Sequence, residues 1–421
     1  VADIVFAFDP ALDRPIPRIE AAPVSVADAI ATAPLAALRA AATTALDSEA
    51  AALVLFGRLL DPHRASPAQV SFLRSVIVDL AAHGCRTLWL CADAASAADA
   101  ARMLGDPAGL DFATPTVPFH LDIRGLAVEI AVAAAQHPGV AHQVSASAAI
   151  DATVPALARR RIVVGWDAGH WNSERWDDVA PPSEPAPLVL AGTPGTAPFF
   201  VHGSRRPARS VTGGHLLPAL QARSAHESAP GACGVLTLLE HPSADDPYAG
   251  GSRRDPLEAR GDWRHAWREA PTHQVAWRTL SIDSPAGGDE ELATAIWSAV
   301  ESLGLDGRGP LAIIRCHVGC GTSVARRVRV AEIAAETLAR LRQRFDGRSG
   351  VGWCHEIAAD PAESLAALGH SRSGAKPGST TSFSTALADI VDGLERQPVA
   401  AAPADLVRES AWLALELIES T

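Results

Sequence analysis

A chain of 421 residues is too long for one ordinary domain and suits two or three. Its net charge of −12, with Lys376 the only lysine, argues against broad non-specific attraction to nucleic acid but leaves room for a local arginine-lined groove. No apolar run reaches the roughly 18 residues of a membrane span, and the opening VADIVFAFDP lacks the marks of a signal peptide, so a cytoplasmic protein is expected. Cys85, Cys91, Cys233, Cys316, Cys320 and Cys354 form no C-x-x-C pair and read as reduced, buried thiols. Cys316, His317, Cys320, Cys354 and His355 are dense enough to suggest zinc, but their spacing matches no standard zinc site.

Taken in order, residues 3–8 predict a first strand ending at Asp9, with Asp13 in the Pro-rich loop beyond it. Residues 27–46 predict an Ala-rich helix, 51–56 a second strand, 67–83 a second helix stopped by Gly84, and 86–91 a third strand. That rhythm implies a parallel sheet with crossover helices. A short helix is expected at 98–104, two strands within 117–133, and further strands at 161–166, 188–190, 199–202 and 231–239. The polar stretch 241–270 reads as an insertion or linker. Strand, helix, strand, helix, strand over 275–357 predicts a small α+β domain, placed at 271–368. Residues 369–384 read as a Gly/Ser/Thr linker and 385–421 as two closing helices.

The chain is organised around residues 53–66, LVLFGRLLDPHRAS, a buried strand that turns at a glycine and delivers a loop to the sheet edge. In open α/β sheets that edge is where ligands sit. Five stretches in this order carry a family resemblance. They are Asp9-Pro-Ala-Leu-Asp13, Gly57-Arg-Leu-Leu-Asp61, Leu90-Cys-Ala-Asp-Ala-Ala-Ser96, Gln221-Ala-Arg-Ser-Ala-His-Glu227 with Gly231-Ala-Cys-Gly-Val, and Ala270-Pro-Thr-His-Gln-Val-Ala-Trp-Arg. Together they resemble the SbcD-type nuclease subunits of the calcineurin-like metallophosphoesterases over residues 1–360. The resemblance implies a four-layer α/β/β/α sandwich over 1–240, the small domain as a cap, and C-terminal helices.

The chemistry of that family uses two divalent ions, such as manganese, about 3.5–4 Å apart, held by carboxylates, imidazoles and an amide. Position by position the resemblance leaves few ligands. Asp9 is retained, but Ala11 replaces a histidine, Arg58 stands where the bridging carboxylate belongs, and Asp93, Ala94 and Ala95 replace Asn, His and an acid. No histidine ends the strand at 165–167, and the last motif falls at His202-Gly-Ser204-Arg205, with Ser204 and Arg206 near the ligand positions. A guanidinium at the bridging position repels dications, so the expectation is no bound metal and a catalytically silent relic site at Asp9, Arg58, Asp61 and Asp93. Each acid also has a plain structural reading as a loop cap. Arg58 is expected to pair with Asp9 or Asp93, substituting its own charge for that of a metal.

Three functional readings follow. The first is a structural or regulatory subunit of a DNA-processing complex. For this the resemblance implies an SMC-like coiled-coil ATPase as partner, bound through C-terminal helices whose apolar positions include Leu406, Trp412, Leu413 and Leu417, and it allows a homodimer. The second is a divergent exonuclease or phosphodiesterase with metal held by Asp9, Asp61, Asp93 and a shifted His170 or His202. The third is a non-hydrolytic nucleic-acid binder using Arg205, Arg206 and Arg209, with Trp166, Trp171 and Trp176 as stacking surfaces. Core packing is the commoner fate of such tryptophans, and a solvated loop that of such an arginine cluster.

Overall fold

The structure is a computed structural model that describes residues 2–14, 16, 19, 21–123, 126–133, 159–166, 199–203, 209–211, 214–224, 230–239, 264–283, 289–305, 309–319, 324–346 and 352–360. Its first half runs β1 (Ala2–Phe8), α1 (Val24–Asp47), β2 (Ala52–Phe56), α2 (Pro67–Ala82), β3 (Arg86–Leu90), α3 (Ala94–Leu104) and β4 (Leu110–Ala113). Then come β5 (Phe119–Ile123), β6 (Leu126–Val132), β7 (Arg159–Trp166), β8 (Phe199–Gly203), β9 (Arg209–Val211), β10 (Gly214–Leu217), β11 (Ala232–Leu239) and β12 (Arg264–Pro271). The last described stretch is β13 (Val275–Asp283), α4 (Asp289–Glu301), β14 (Leu311–Gly319), α5 (Val324–Asp346) and β15 (Gly352–Asp360).

The chain divides into two units. The first comprises Val1–Pro17, Asp28–Glu174 and Ala180–Val275, and the second Arg18–Ala27, Arg175–Val179 and Ala276–Thr421. The first unit holds two six-stranded mixed sheets, ordered β12-β11-β1-β2-β3-β4 and β5-β6-β7-β8-β10-β9. In the first sheet β1 to β4 are parallel, while β11 runs antiparallel to β1 and β12 antiparallel to β11. In the second, β6, β7, β8 and β10 are parallel, flanked by antiparallel β5 and β9.

Strand β1 explains the layering. Its successive side chains point to opposite faces, and both faces are covered, so the strand reads as an unbroken apolar run. Val5 and Ala7 join a core with Leu38 and Ala41 of α1, Leu73 and Ile77 of α2, and Leu104 of α3. Ile4, Phe6 and Phe8 join a second core with Phe56 and Leu88 of the same sheet and Val128, Ile130, Val164 and Val201 of the other. The order is therefore helices, sheet, sheet; a fourth layer is not among the described residues. Each fully buried side chain of this kind contributes about 1.5–3 kcal/mol.

Helix α1 is the one described helix long and apolar enough to cross a membrane by length and composition. Its Ala33, Ala37, Leu38, Ala41 and Ala45 are buried, which is the placement of a core helix. Helix α2 opens on a capping box in which Ser66 accepts from the Gln69 amide and Gln69 accepts from the Ser66 amide. Helix α3 begins earlier than the apolar period predicts, because Asp93 caps it.

The linker expected at 241–270 requires correction. Residues 264–270 belong to β12, which pairs along the whole of β11, so the first unit runs on to Val275 and not to 240. The strand looks like a linker because it is an edge: His265, Ala266, Arg268 and Glu269 are exposed, and its order comes from β11. Strands β4, β9 and β10 also went unforeseen, being three or four residues long. The expected strand at 188–190, the linker 369–384 and the closing helices 385–421 lie outside the described residues.

The second unit is the expected strand–helix alternation, a three-stranded sheet β13-β14-β15 with β14 and β15 parallel. Leu292, Ile296 and Val300 of α4 and Leu341 of α5 are buried, as are Ile314 and Cys316 of β14.

Candidate functional site

The ends of β1 and β2 form the candidate site. Gly57 turns the chain out of β2 with φ 83°, a conformation glycine adopts without a Cβ clash. Opposite it, Asp9 and Ala11 occupy the left-handed region with φ 51° and 40°, which side-chain-bearing residues rarely adopt. Three backbone bonds continue the pairing beyond the strands: Asp9 N to Phe56 O (2.9 Å), Ala11 N to Arg58 O (2.8 Å) and Leu12 N to Leu59 O (2.8 Å).

Across this zipped turn Arg58 forms the expected ion pair. Its Nε donates to Asp9 Oδ1 at 2.9 Å and its Nη2 to Asp9 Oδ2 at 2.7 Å, and its backbone N–H reaches Oδ1 at 3.2 Å. The side chains are only 13% and 8% exposed, so this is a two-pronged, desolvated contact rather than a surface pair. From a distant segment Arg223, itself 9% exposed, donates through Nη2 to Ala11 O at 2.6 Å. Nearby, Gln221 Nε2 donates to Val275 O at 2.8 Å, and its Oε1 accepts from the Gln274 and Val275 amides at 2.8 and 3.2 Å. Neither role is visible from local sequence, although both residues lie in one of the quoted motifs.

The other acids serve local structure. Asp61 Oδ1 accepts from the His63 amide at 2.9 Å, closing an Asx turn. Asp93 is exposed and caps α3 through the Ser96 amide at 2.7 Å, and the bonds from Ser96 hold its carboxyl below the usual range. Asp13 differs. Burial pushes its carboxyl up, with Asp61 adding to that against Arg14 and Arg223, and its Oδ2 is buried with no hydrogen-bond partner among the described residues.

Strand alternation places Val201 in the inter-sheet core and half-buried His202 on the opposite face of the second sheet. Gly203 lies so close to the Phe8 ring that a Cβ there would collide with it. Trp166 packs on Phe56 with ring centroids 6.1 Å apart, in the core rather than on a stacking surface. His170, Trp171, Trp176, Arg205 and Arg206 lie outside the described residues, as does the side chain of Arg209, whose backbone is in β9.

The described residues do not fit a two-metal centre. Both Asp9 oxygens face Arg58, one oxygen each of Asp61 and Asp93 is taken by a backbone amide, and Ala11, Ala94 and Ala95 offer no ligand atom. Among the described residues no group of three or more His, Cys, Asp or Glu side chains is placed to hold an ion. Of the five residues that suggest zinc, the four described ones do not form such a group either. Cys316 and Cys354 are buried on adjacent strands, where the influence of each thiol on the other lowers the pKa of Cys316 and raises that of Cys354. His317 alternates to the other face of β14, His355 meets the edge of Trp277, and Cys320 lies outside the described residues.

No protein-family model matches the chain, and a comparison with curated proteins returns no match.

Proposed function

We propose that this chain is a non-hydrolytic scaffold of the SbcD-like metallophosphoesterase type, serving as a structural or regulatory subunit beside an SMC-like coiled-coil ATPase. The observation that carries the reading is the Arg58–Asp9 pair, a fixed positive charge at the strand ends where hydrolysis by such a fold needs two cations. The helix–sheet–sheet order of the first unit is compatible with a four-layer sandwich. The order of the five motifs supports the family, and the C-terminal apolar positions are what the partner would hold.

The test is elemental analysis of the full chain after incubation with excess manganese, alongside an assay of DNA-end and phosphodiester hydrolysis. The expected result is a metal content near zero per chain and no hydrolysis above buffer. A content near two with hydrolysis overturns the reading in favour of a divergent exonuclease. For the partner, removing residues 400–421 is expected to abolish capture of the coiled-coil ATPase, and retained capture counts against the proposed mode of binding.

A further inference from the structure

A left-handed turn at two residues with side chains, 9 and 11, needs something to hold it, and a buried carboxylate needs a compensating charge. One side chain answers both needs. We propose that the Arg58 guanidinium is this chain's built-in substitute for a bound cation: it fixes the 9–12 turn whatever divalent ions the medium contains. The inference rests on the non-hydrolytic reading and deepens it by assigning Arg58 a positive task.

The geometry is what a cation at this position would have to provide. Arg58 brings three donors to one carboxylate, two from its fork and one from its backbone. The fork engages both oxygens, so an ion approaching Asp9 would have to displace it and would meet its charge at short range. A guanidinium does not deprotonate in proteins, and a tethered one is present at every metal concentration. The turn is held from a second side by Arg223 on the Ala11 carbonyl and along its length by the bonds to Phe56, Arg58 and Leu59. These fix the path of the backbone, and Arg58 engages both oxygens of the Asp9 carboxylate.

The experiment compares thermal unfolding of the full chain in EDTA and in excess manganese, for wild type, Asp9→Asn, Arg58→Met, the double variant and Arg58→Lys. Wild type is expected to melt at the same temperature in both media, within about 1 °C. Arg58→Met is expected to lose more than about 5 °C, and adding Asp9→Asn should recover part of that loss, because the buried charge goes with its partner. Deuterium uptake at residues 9–12 should rise at least about tenfold in Arg58→Met, as expected for a local opening. Arg58→Lys keeps the charge without the fork and should fall between, which decides the matter if Arg58→Met does not fold. Additive single losses, or a neutral Arg58→Lys together with a neutral Asp9→Asn, overturn the inference and leave the non-hydrolytic reading standing. A wild type stabilised by several degrees in manganese overturns the inference, and if it also hydrolyses phosphodiesters both readings fall.

Discussion

Asp9, Asp13, Asp61 and Asp93 lie at or near the strand ends of one sheet, yet four environments give them four fates. Asp9 is neutralised by Arg58, Asp61 closes a turn, Asp93 caps a helix, and Asp13 is left partly desolvated. Only Asp13 works against folding at neutral pH. Its folded-state pKa is raised above the unfolded value, so its favourable contribution is complete below the unfolded pKa and is lost as pH rises through the folded one. Asp13→Asn is therefore expected to raise Tm at pH 7, with the gain vanishing at about pH 3, where the wild-type side chain is already protonated. Equal melting of the two proteins at pH 7 would contradict the placement of Asp13. The Arg58–Asp9 pair was legible in the sequence because the family resemblance implies a carboxylate at position 58, and the arginine found there has an acid, Asp9, at the end of the neighbouring strand. Arg223 was not, because the Ala11 carbonyl that its Nη2 meets lies 212 residues away in sequence and carries no side-chain signature.

At the scale of elements, the chain leaving β12 is held by one amide side chain. Gln221 is 1% exposed and bonds Ala222, Gln274 and Val275 where β13 begins, while Thr272 Oγ1 donates to Leu220 O at 2.7 Å. Gln221→Ala removes the partner of the Gln274 and Val275 amides and of the Ala222 and Val275 carbonyls, and its expected cost is about 2–3 kcal/mol, measured by urea unfolding. The same variant should speed exchange of the Gln274 and Val275 amides, and unchanged exchange would show that the backbone holds itself there. Elements whose order comes from their own residues were read correctly, as with the parallel β1, β2 and β3 and the helices between them. Those whose order comes from a neighbour were missed. β12 is polar and exposed along its edge, and β10 is four residues that matter because Gly214 lies against the Phe200 backbone of β8.

Across the whole molecule the described cysteines report on packing. Cys85, Cys91, Cys233, Cys316 and Cys354 are all buried, and burial pushes Cys85 to about 11 and Cys91 to about 12. At pH 8 these two are thiols with little thiolate, so a disulfide reagent is expected to label them only as fast as the first unit opens, with labelling complete in denaturant. Rapid labelling of the native chain at Cys85 or Cys91 would mean that the helix-side core is looser than described.

Strand β1 sits inside its sheet, between β2 from the start of the unit and β11 from near its end. During synthesis β2 can dock on β1 early, but the other flank of β1 stays a row of unmet amides and carbonyls until residue 238 has left the ribosome. Pairing of β11 with β1 is thus a long-range antiparallel contact, the slow kind to form, and β12 pairs in turn with β11.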